Sequence, residues 1–253
     1  MNHLREKLNQ GETVRGVWTM LPSVESARMI AQLPLDWMLI DAEHAPIDDL
    51  TLARIVGSVA QAKGPAPIVR VVENTTAAIK RALDLGAFGV LVPMVNSAAE
   101  AERAVMAAKF PPVGERSFGS PFAPLAFGLS NPEYLAQANQ ETLLIVQAES
   151  QTALENIDTI LSVPGIDMVL IGPADLSISL RLPLDFSEAN TELENAVKTI
   201  LKAAKRAGIP AGIYCPDGAT AARRIAQGFQ LVNVAGDIPA MLEGIRQQLK
   251  ASQ

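Results

Sequence analysis

The sequence is poor in the residues that build disulfide frameworks and multi-cysteine metal sites. It contains one cysteine, Cys215, and two histidines among 253 residues. A single cysteine excludes an intramolecular disulfide and a zinc site made of several cysteines. We therefore predict that Cys215 is a small apolar residue near the end of a strand.

Concentrated positive charge and long apolar runs are also missing. The formal net charge is −6 and the lysines and arginines form no cluster, which argues against a nucleic-acid or anionic-membrane partner. No apolar run approaches the ~20 residues of a membrane span. The polar residues 1–10 lack the apolar stretch of a signal peptide. We therefore expect a cytoplasmic protein that acts on small molecules.

The sequence does have enough apolar material for a large core. Hydrophobic residues make up 49% of the chain and charged residues 19%, so the composition favours an ordered globular fold over disorder. The length suits a single large α/β domain, which we predict over residues 1–253.

Short runs rich in Val, Ile and Leu alternate with stretches of helical spacing, which is typical of parallel strands joined by crossover helices. The predicted strands are Val14–Trp18, Trp37–Ile40, Pro67–Val71, Gly89–Val92, Leu143–Gln147, Met168–Ile171, Ala211–Tyr214 and Leu231–Val234. The predicted helices are Ser23–Gln32, Asp48–Ala62, Thr75–Leu85, Ala98–Ala108, Gln151–Leu161, Thr191–Ala207, Gly218–Gln227 and Pro239–Ala251. The segment Phe110–Gln140, with Pro and Gly throughout, is predicted to be an extended loop over one barrel face.

A weak internal repeat decides between two arrangements of these elements. A turn, an apolar strand and a polar end recur in LPLDWMLIDAEH, LGAFGVLVPMVN, PGIDMVLIGPAD and QGFQLVNVAGD. Such repetition favours a closed (β/α)8 TIM barrel. The main alternative, a doubly wound open sheet, usually carries a Gly-rich turn after its first strand, and VWTMLPSVES has no GxGxxG.

Two acidic residues follow neighbouring predicted strands. In a βα barrel the reactive side chains gather at the carboxyl ends of the strands, and Glu149 and Asp175 follow the fifth and sixth. Two adjacent carboxylates suit a hard divalent cation such as Mg²⁺ or Mn²⁺, which fills its other positions with water and substrate oxygens. The alternative is that either acid pairs with Arg70 or caps a helix.

His44 and Arg70 are the candidates for proton transfer and charge stabilisation. His44 follows the acidic end of the second strand, whereas His3 lies in a terminus that we expect to be mobile. Histidine is well suited to moving protons near neutral pH. Arg70 needs an anionic partner in its apolar run, either Glu149 or a substrate oxygen that becomes negative during reaction. No lysine follows a strand, so a Schiff-base mechanism lacks its nucleophile.

Several motifs, in one continuous order, make the sequence resemble the HpcH/HpaI aldolases, which are metal-dependent pyruvate aldolases typified by 2,4-dihydroxyhept-2-enedioate aldolase. The motifs are GVW, LIDAEHAPID, the Arg70 strand, VLVPMV, PPVGERSFGS, PEYLAQAN, VQAES and IGPADLS. The resemblance implies His44 as the base, Arg70 as the stabiliser of enolate charge, and Glu149 with Asp175 as metal ligands. The metal would be Mg²⁺, Mn²⁺ or Co²⁺, or alternatively Zn²⁺.

The resemblance also implies substrate contacts and an oligomer. The substrates would be pyruvate or a hydroxypyruvate-like 2-oxo acid and an aldehyde. The residues assigned to substrate binding are Trp18, Gln147, Gly172, Pro173 and Ala174, and the GPAD turn also has free N–H groups that could hold a carboxylate.

Asp84 matches a family acid that raises the basicity of the histidine. It ends a predicted helix, so it should lie toward the opposite end of its own barrel and reach a His44 only across a subunit interface or indirectly. Family members form hexamers with an exchanged terminal helix. The C-terminal residues that fit such docking, and equally fit ordinary barrel packing, are Ile238, Met241, Leu242, Ile245 and Leu249.

The sequence departs from the dicarboxylate-cleaving members in the stretch after the RxxGS motif. Where they carry arginines, this chain has Pro124 and Phe127. We infer a more apolar aldehyde pocket, with Phe118, Phe122 and Phe127 as candidate walls; the alternative is that these aromatic side chains pack the loop.

Two other functions remain open at this point. One is a related lyase acting on an acyl-CoA or another hydroxy acid, although no basic entrance for CoA is visible. The other is a non-catalytic metabolite-binding barrel, which would not need a proton acceptor such as His44.

Overall fold

The computed structural model describes residues 2–62 and 64–253 and shows a closed parallel barrel in which each strand pairs with the next and β8 pairs with β1. The predicted (β/α)8 fold is confirmed. The strands are β1 (Val14–Thr19), β2 (Trp37–Asp41), β3 (Ala66–Arg70), β4 (Gly89–Val92), β5 (Leu143–Ala148), β6 (Met168–Ile171), β7 (Ala211–Ile213) and β8 (Leu231–Gly236).

The helices pack around this barrel and cap its amino end. They are α1 (His3–Asn9), α2 (Val24–Ile30), α3 (Asp49–Gln61), α4 (Thr76–Asp84), α5 (Ala98–Ala108), α6 (Phe122–Phe127), α7 (Asn131–Glu141), α8 (Gln151–Glu155), α9 (Ile157–Leu161), α10 (Pro173–Ser179), α11 (Thr191–Ala207), α12 (Gly218–Gln227) and α13 (Asp237–Ala251). Within the described ranges, no helix combines the length and the apolar character needed to cross a membrane.

The strands read as continuous apolar runs because both of their faces are buried. Every residue of β2, β3 and β5 is buried, as expected for strands that face the lumen on one side and helices on the other. One apolar cluster fills the layer between barrel and helices, and a second fills the lumen. Cys215 is a buried free thiol whose pKa burial raises to about 12, so the prediction of a small apolar residue near the end of a strand is confirmed.

The amino end of the lumen is closed by α1. Leu4 and Leu8, four residues apart, are buried in the lumen cluster, and the Asn2 side chain accepts the Leu4 N–H at 3.2 Å as the helix cap. The Asn2 amide also donates to the carbonyl of Phe88 at 3.1 Å. The expectation of a mobile terminus is therefore wrong, because two leucines on one helical face supply enough burial to dock it.

The segment predicted as one extended loop contains two helices, α6 and α7. Helix α6 ends at Gly128, whose left-handed φ of 67° suits glycine. Helix α7 begins with a capping box formed by Ser130 and Glu133. Phe127 stacks on Phe88, with ring centroids 4.3 Å apart, just before β4. The prediction of an irregular loop is wrong, and the segment packs against the amino end of the barrel.

The last helix, α13, leaves most of its surface without a partner in its own chain. Asp237 is its one buried residue, and the apolar side chains of Met241, Leu242, Ile245 and Leu249 are all exposed. Beside its first turns lies an apolar groove of about 360 Å³ between α2 and β8. An amphipathic helix normally buries such a face.

Candidate active site

The ends of β2 and β3 hold a buried ion pair at the carboxyl end of the barrel. Asp41 and Arg70 are register partners, and the Arg70 guanidinium donates to both carboxylate oxygens of Asp41, with Nε at 2.9 Å from Oδ1. The Nη1 atom of Arg70 also lies 3.0 Å from Oε2 of Glu43. The partners of Arg70 are therefore Asp41 and Glu43 rather than Glu149.

Trp18 also helps to hold the Arg70 side chain in place. Its indole Nε1 donates to Asp41 Oδ2 at 3.0 Å, and the Arg70 guanidinium lies 4.8 Å from the centre of the indole ring. Burial by itself raises the pKa of Asp41, but the hydrogen bonds and charge of Arg70 outweigh it and hold that pKa below its usual value. Asp41 is therefore an anion that orients Arg70 toward the cavity.

His44 lies in the turn that follows β2. Its backbone N–H donates to Asp41 Oδ1 at 3.3 Å, and its side chain is 56% exposed, with Nε2 at 3.8 Å from Glu43 Oε2. The imidazole is thus close to Arg70 yet open to solvent and substrate, which is what a group that exchanges protons requires.

Glu149 is a buried carboxylate directly after β5. Its Oε1 accepts the backbone N–H of Met94 at 2.9 Å, and its Oε2 accepts the side-chain amide of Gln147. Burial is the main cause of a pKa of about 7 for Glu149, and the nearby charges of Asp175 and Glu43 contribute to the same increase, against the lowering effects of the Met94 N–H and of Arg70. The chain thus gathers negative charge here with little positive charge to compensate it.

Met94 reaches Glu149 through an unusual backbone conformation. Its φ of 52° is in the left-handed region, which non-glycine residues rarely adopt and which is often found at functional sites. This conformation accompanies the donation of the Met94 N–H to the Glu149 carboxylate.

The turn between β6 and α10 brings Asp175 to the same cavity. A Cβ at Gly172 would come within 2.3 Å of Glu149 Oε2 and 2.8 Å of the Gln147 amide nitrogen, so a larger residue here would displace these two side chains. Gly172 is the N-cap and Pro173 the first residue of α10, so the N–H groups of Ala174 and Asp175 lack intrahelical partners.

This set of donors fits a hard divalent cation. Within residues 2–62 and 64–253, no group of three or more His, Cys, Asp or Glu side chains is arranged to hold a metal by itself. Two carboxylates with the remaining positions left to water and substrate are the usual environment of Mg²⁺. The buried Oε1 of Gln147 beside Glu149 has no hydrogen-bond partner.

A cavity of about 320 Å³ connects these groups. The predicted residues that line it are Trp18, His44, Arg70, Gln147, Gly172, Pro173, Ala174 and Asp175. Glu149 lies buried beside it, bonded to Gln147. Four further lining residues carry no role in the sequence prediction: Met20, Asp41, Phe186 and Tyr214. Asp41, directly after the predicted second strand, and Tyr214, at the end of the predicted seventh strand, lie at strand ends where the sequence could have indicated them.

The structure places Asp84, Phe118 and Phe122 away from this cavity in the same chain. Asp84, at the end of α4, accepts from Arg116 Nη2 at 3.0 Å. All three line a separate surface cavity of about 330 Å³ beside the segment that precedes α6. Phe127 packs on Phe88 and Tyr134 instead of forming a pocket wall.

Comparison with known proteins relates this geometry to a family. Residues 15–243 match the family model described as HpcH/HpaI aldolase/citrate lyase. The 2-keto-3-deoxy-L-rhamnonate aldolase of Salmonella gallinarum is 37% identical over 248 residues, covering 98% of this chain and 92% of the relative. The protein of the same name from Klebsiella pneumoniae is 38% identical over 252 residues, with the same coverage.

A solved structure gives the same relationship. The crystal structure of an HpcH/HpaI aldolase/citrate lyase family protein from Burkholderia cenocepacia superposes with a TM-score of 0.92 at 33% identity. The superposition covers 100% of this chain and 99% of that one.

Proposed function

The chain belongs to the HpcH/HpaI aldolase/citrate lyase family and is a metal-dependent aldolase, and we propose that it joins or cleaves pyruvate, or a related 2-oxo acid, and an aldehyde. The observation that carries the proposal is one cavity at the carboxyl end of the barrel. It brings together a proton acceptor, His44, a fixed cation, Arg70, and the carboxylate of Asp175 beside that of Glu149.

Glu149 and Asp175 would hold the divalent cation. A cation bound there supplies a Lewis acid that polarises the keto group and makes the adjacent methyl protons removable. The Gln147 amide and the backbone of the Gly172–Ala174 turn line the same side of the cavity. They would orient the carboxylate of the keto acid, because N–H groups at a helix start favour an anion.

His44 would move the proton and Arg70 would stabilise the charge. In the synthetic direction a ring nitrogen of His44, directly or through water, takes a methyl proton, the carbon left electron-rich attacks the aldehyde carbonyl, and the resulting alkoxide oxygen takes the proton back from His44. In cleavage His44, directly or through water, takes the proton of the aldol hydroxyl, the carbon–carbon bond breaks as the aldehyde forms, and His44 returns that proton to the carbon. Arg70, held by Asp41 and Trp18, needs no reorganisation to meet the oxygen that becomes negative.

The aldehyde would occupy the apolar part of the cavity. Met20, Phe186 and Tyr214 line it in the same chain. Relatives named 2-keto-3-deoxy-L-rhamnonate aldolase support a 2-keto-3-deoxy acid as the cleavage substrate. Retro-aldol cleavage of such an acid releases pyruvate and an aldehyde.

We further propose that the active enzyme is a hexamer, as the resemblance to the family implies, and that α13 is exchanged between its subunits. Support comes from the exposed apolar face of α13 and the unfilled groove beside α2. In such an oligomer a neighbouring subunit would bring Asp84, Phe118 and Phe122 to the cavity. This arrangement agrees with their position on one surface outside it.

An aldol assay with pyruvate and a panel of aldehydes tests the proposed function. Activity should disappear after chelation and return when Mg²⁺, Mn²⁺ or Co²⁺ is added, because the paired carboxylates cannot polarise the keto group alone. Binding of the added metal to the apoprotein, followed by calorimetry, should be lost in Glu149→Gln. Full aldolase activity in metal-free protein would overturn the mechanism.

A further inference from the structure

The carboxylate of Asp237 accepts four backbone hydrogen bonds at the start of α13. The N–H of Met20 lies 3.1 Å from Oδ1 and 3.0 Å from Oδ2, and the N–H of Leu21 lies 2.9 Å from Oδ2. The fourth is its neighbour Ile238, at 2.7 Å from Oδ1. Asp237 is 8% exposed, and within residues 2–62 and 64–253 no lysine, arginine or histidine side chain forms an ion pair with it.

Helix capping accounts for part of this arrangement and leaves the rest unexplained. A carboxylate in the first turn is favoured by the helix dipole, and the contact with Ile238 serves that purpose. The other two donors belong to the turn after β1, more than 200 positions earlier in the chain. Unpaired backbone N–H groups are costly when buried, so the shape of the Met20–Leu21 turn depends on this carboxylate.

The turn held by Asp237 forms one wall of the active-site cavity. Met20 lines the cavity together with Trp18, two residues before it in the chain. Since β1 and β5 are four positions apart in a ring of eight strands, Met20 faces the cavity from the side opposite Glu149. Glu149, Asp175 and the Gly172 turn, which would hold the metal and the keto acid, lie on the side of the cavity opposite Met20. The part of a substrate that extends away from the keto acid would therefore meet Met20.

We propose that Asp237 is a positioning residue for the aldehyde half of the substrate. By fixing two consecutive N–H groups, it holds the Met20 side chain at the cavity wall and so sets the affinity for the aldehyde. It does not act on the keto acid. The proposal rests on the pyruvate-aldolase function proposed above.

The test is Asp237→Asn in the full-length, metal-loaded protein. Asparagine keeps the size of the side chain but replaces one acceptor oxygen with an NH₂ group, which opposes the N–H of Met20 or Leu21. We expect KM for the aldehyde to rise about tenfold, the scale of one lost hydrogen bond to a charged group. Exchange of the pyruvate methyl protons, which needs no aldehyde, should stay within about twofold, well below that effect.

Two further variants separate positioning from general damage to the fold. Met20→Ala should raise the aldehyde KM in the same way, because it removes the wall itself. Asp48→Asn is the matched control, since Asp48 also accepts a helix N–H, from Thr51 at 2.7 Å, but is exposed and outside the cavity. It should leave both measurements unchanged.

The results distinguish a failure of the positioning role of Asp237 from a failure of the proposed aldolase function. An Asp237→Asn protein with unchanged aldehyde KM, or with proton exchange reduced as much as aldol activity, overturns the positioning role. A lower melting temperature or a smaller oligomer in Asp237→Asn, with an unchanged aldehyde KM, overturns the positioning role as well. A wild-type protein that exchanges no pyruvate protons would instead defeat the proposed function.

Discussion

The two ends of the barrel treat buried charge in opposite ways. At the amino end Lys109 is buried, and its Nζ donates to Asp167 Oδ2 at 2.8 Å and to the carbonyls of Asn139 and Thr142 at 3.1 and 2.9 Å. Its three donors are therefore all used. At the carboxyl end Glu149 is equally buried, but its neighbours include two more acids, Asp175 and Glu43.

The fully paired charge of Lys109 stabilises the fold, whereas the charge of Glu149, which lies beside other acids, is available to bind a ligand. A buried ion pair with every hydrogen bond satisfied contributes order and leaves no room for a ligand. A buried carboxylate beside other carboxylates costs free energy until a cation arrives. In βα barrels the carboxyl end generally carries the active site and the other end stability. Asp84 is the exception to test, because it lies toward the amino end and is proposed to act in catalysis.

The proposed catalytic role of Asp84 can be tested by mixing two inactive variants, and this experiment should give the largest change in activity. His44→Ala and Asp84→Ala should each lower kcat by about 10²–10⁴, the usual contribution of a general acid–base group. If Asp84 serves the His44 of another subunit, mixed oligomers contain sites with both residues intact. Activity should then return after the two variants are unfolded and refolded together.

The control for this experiment mixes Asp84→Ala with wild-type protein under the same conditions. Recovery that requires the two complementary variants supports a shared site. If the mixed variants stay as inactive as each alone, Asp84 acts within its own chain or has a structural role through Arg116.

Lys109→Met should show the stabilising role of the amino end. Methionine fills the space but leaves Asp167 with less positive charge, so the free energy of unfolding should fall by about 3 kcal/mol, the loss typical of breaking a buried pair. Because Lys109 is far from the cavity, kcat should not change. Urea unfolding together with steady-state kinetics measures both.

Lys7→Met is the matched control for that substitution. Lys7 also pairs with an aspartate, Asp36, but its side chain is 42% exposed. Exposed pairs contribute about 1 kcal/mol or less, so this variant should be much less destabilised. Equal losses in the two variants would mean that burial does not govern the strength of these pairs.

The sequence predicted the barrel and most of the site because both depend on local patterns. All eight strands lie within about two residues of their predicted bounds, as expected for apolar runs between clear turn signals. Strand ends in a parallel barrel share one edge, so Glu149, Asp175, Arg70 and His44 could be placed together without further information.

The remaining features depend on contacts between distant segments. The sequence pattern does not predict helix α1, because its residues are mostly polar, although Leu4 and Leu8 lie on one face. The cavity walls Met20, Phe186 and Tyr214 come from three segments far apart in the sequence, and of these only Tyr214 ends a predicted strand. Only the comparison with the resembled family places Phe118 and Phe122 in the pocket, and their role stays a prediction that requires a neighbouring subunit.

Because the carboxylate of Glu149 lies beside other acids, we predict that it makes the stability of the metal-free protein depend on pH. The paired charges at the amino end should not contribute to this dependence. The pKa of Glu149 in the folded chain, about 7, lies above the ordinary value of 4.5 for a glutamate side chain. Below pH 4.5 both folded and unfolded chains hold this proton, and the folded state carries no penalty. Between 4.5 and 7 the unfolded chain releases it first, so the stability of metal-free protein should fall as the pH rises, by up to about 3 kcal/mol.

A divalent cation should remove this loss, because it favours the ionised form of Glu149 in the folded state. Urea unfolding of chelated protein at pH 5 and pH 8, with and without Mn²⁺, gives the measurement. Glu149→Gln has no proton to lose at this position and should flatten the metal-free profile, whereas Lys109→Met should keep its slope. A wild-type profile that rises between these pH values, or a variant with the same slope as wild type, would show that the carboxyl end is compensated by contacts other than a bound cation.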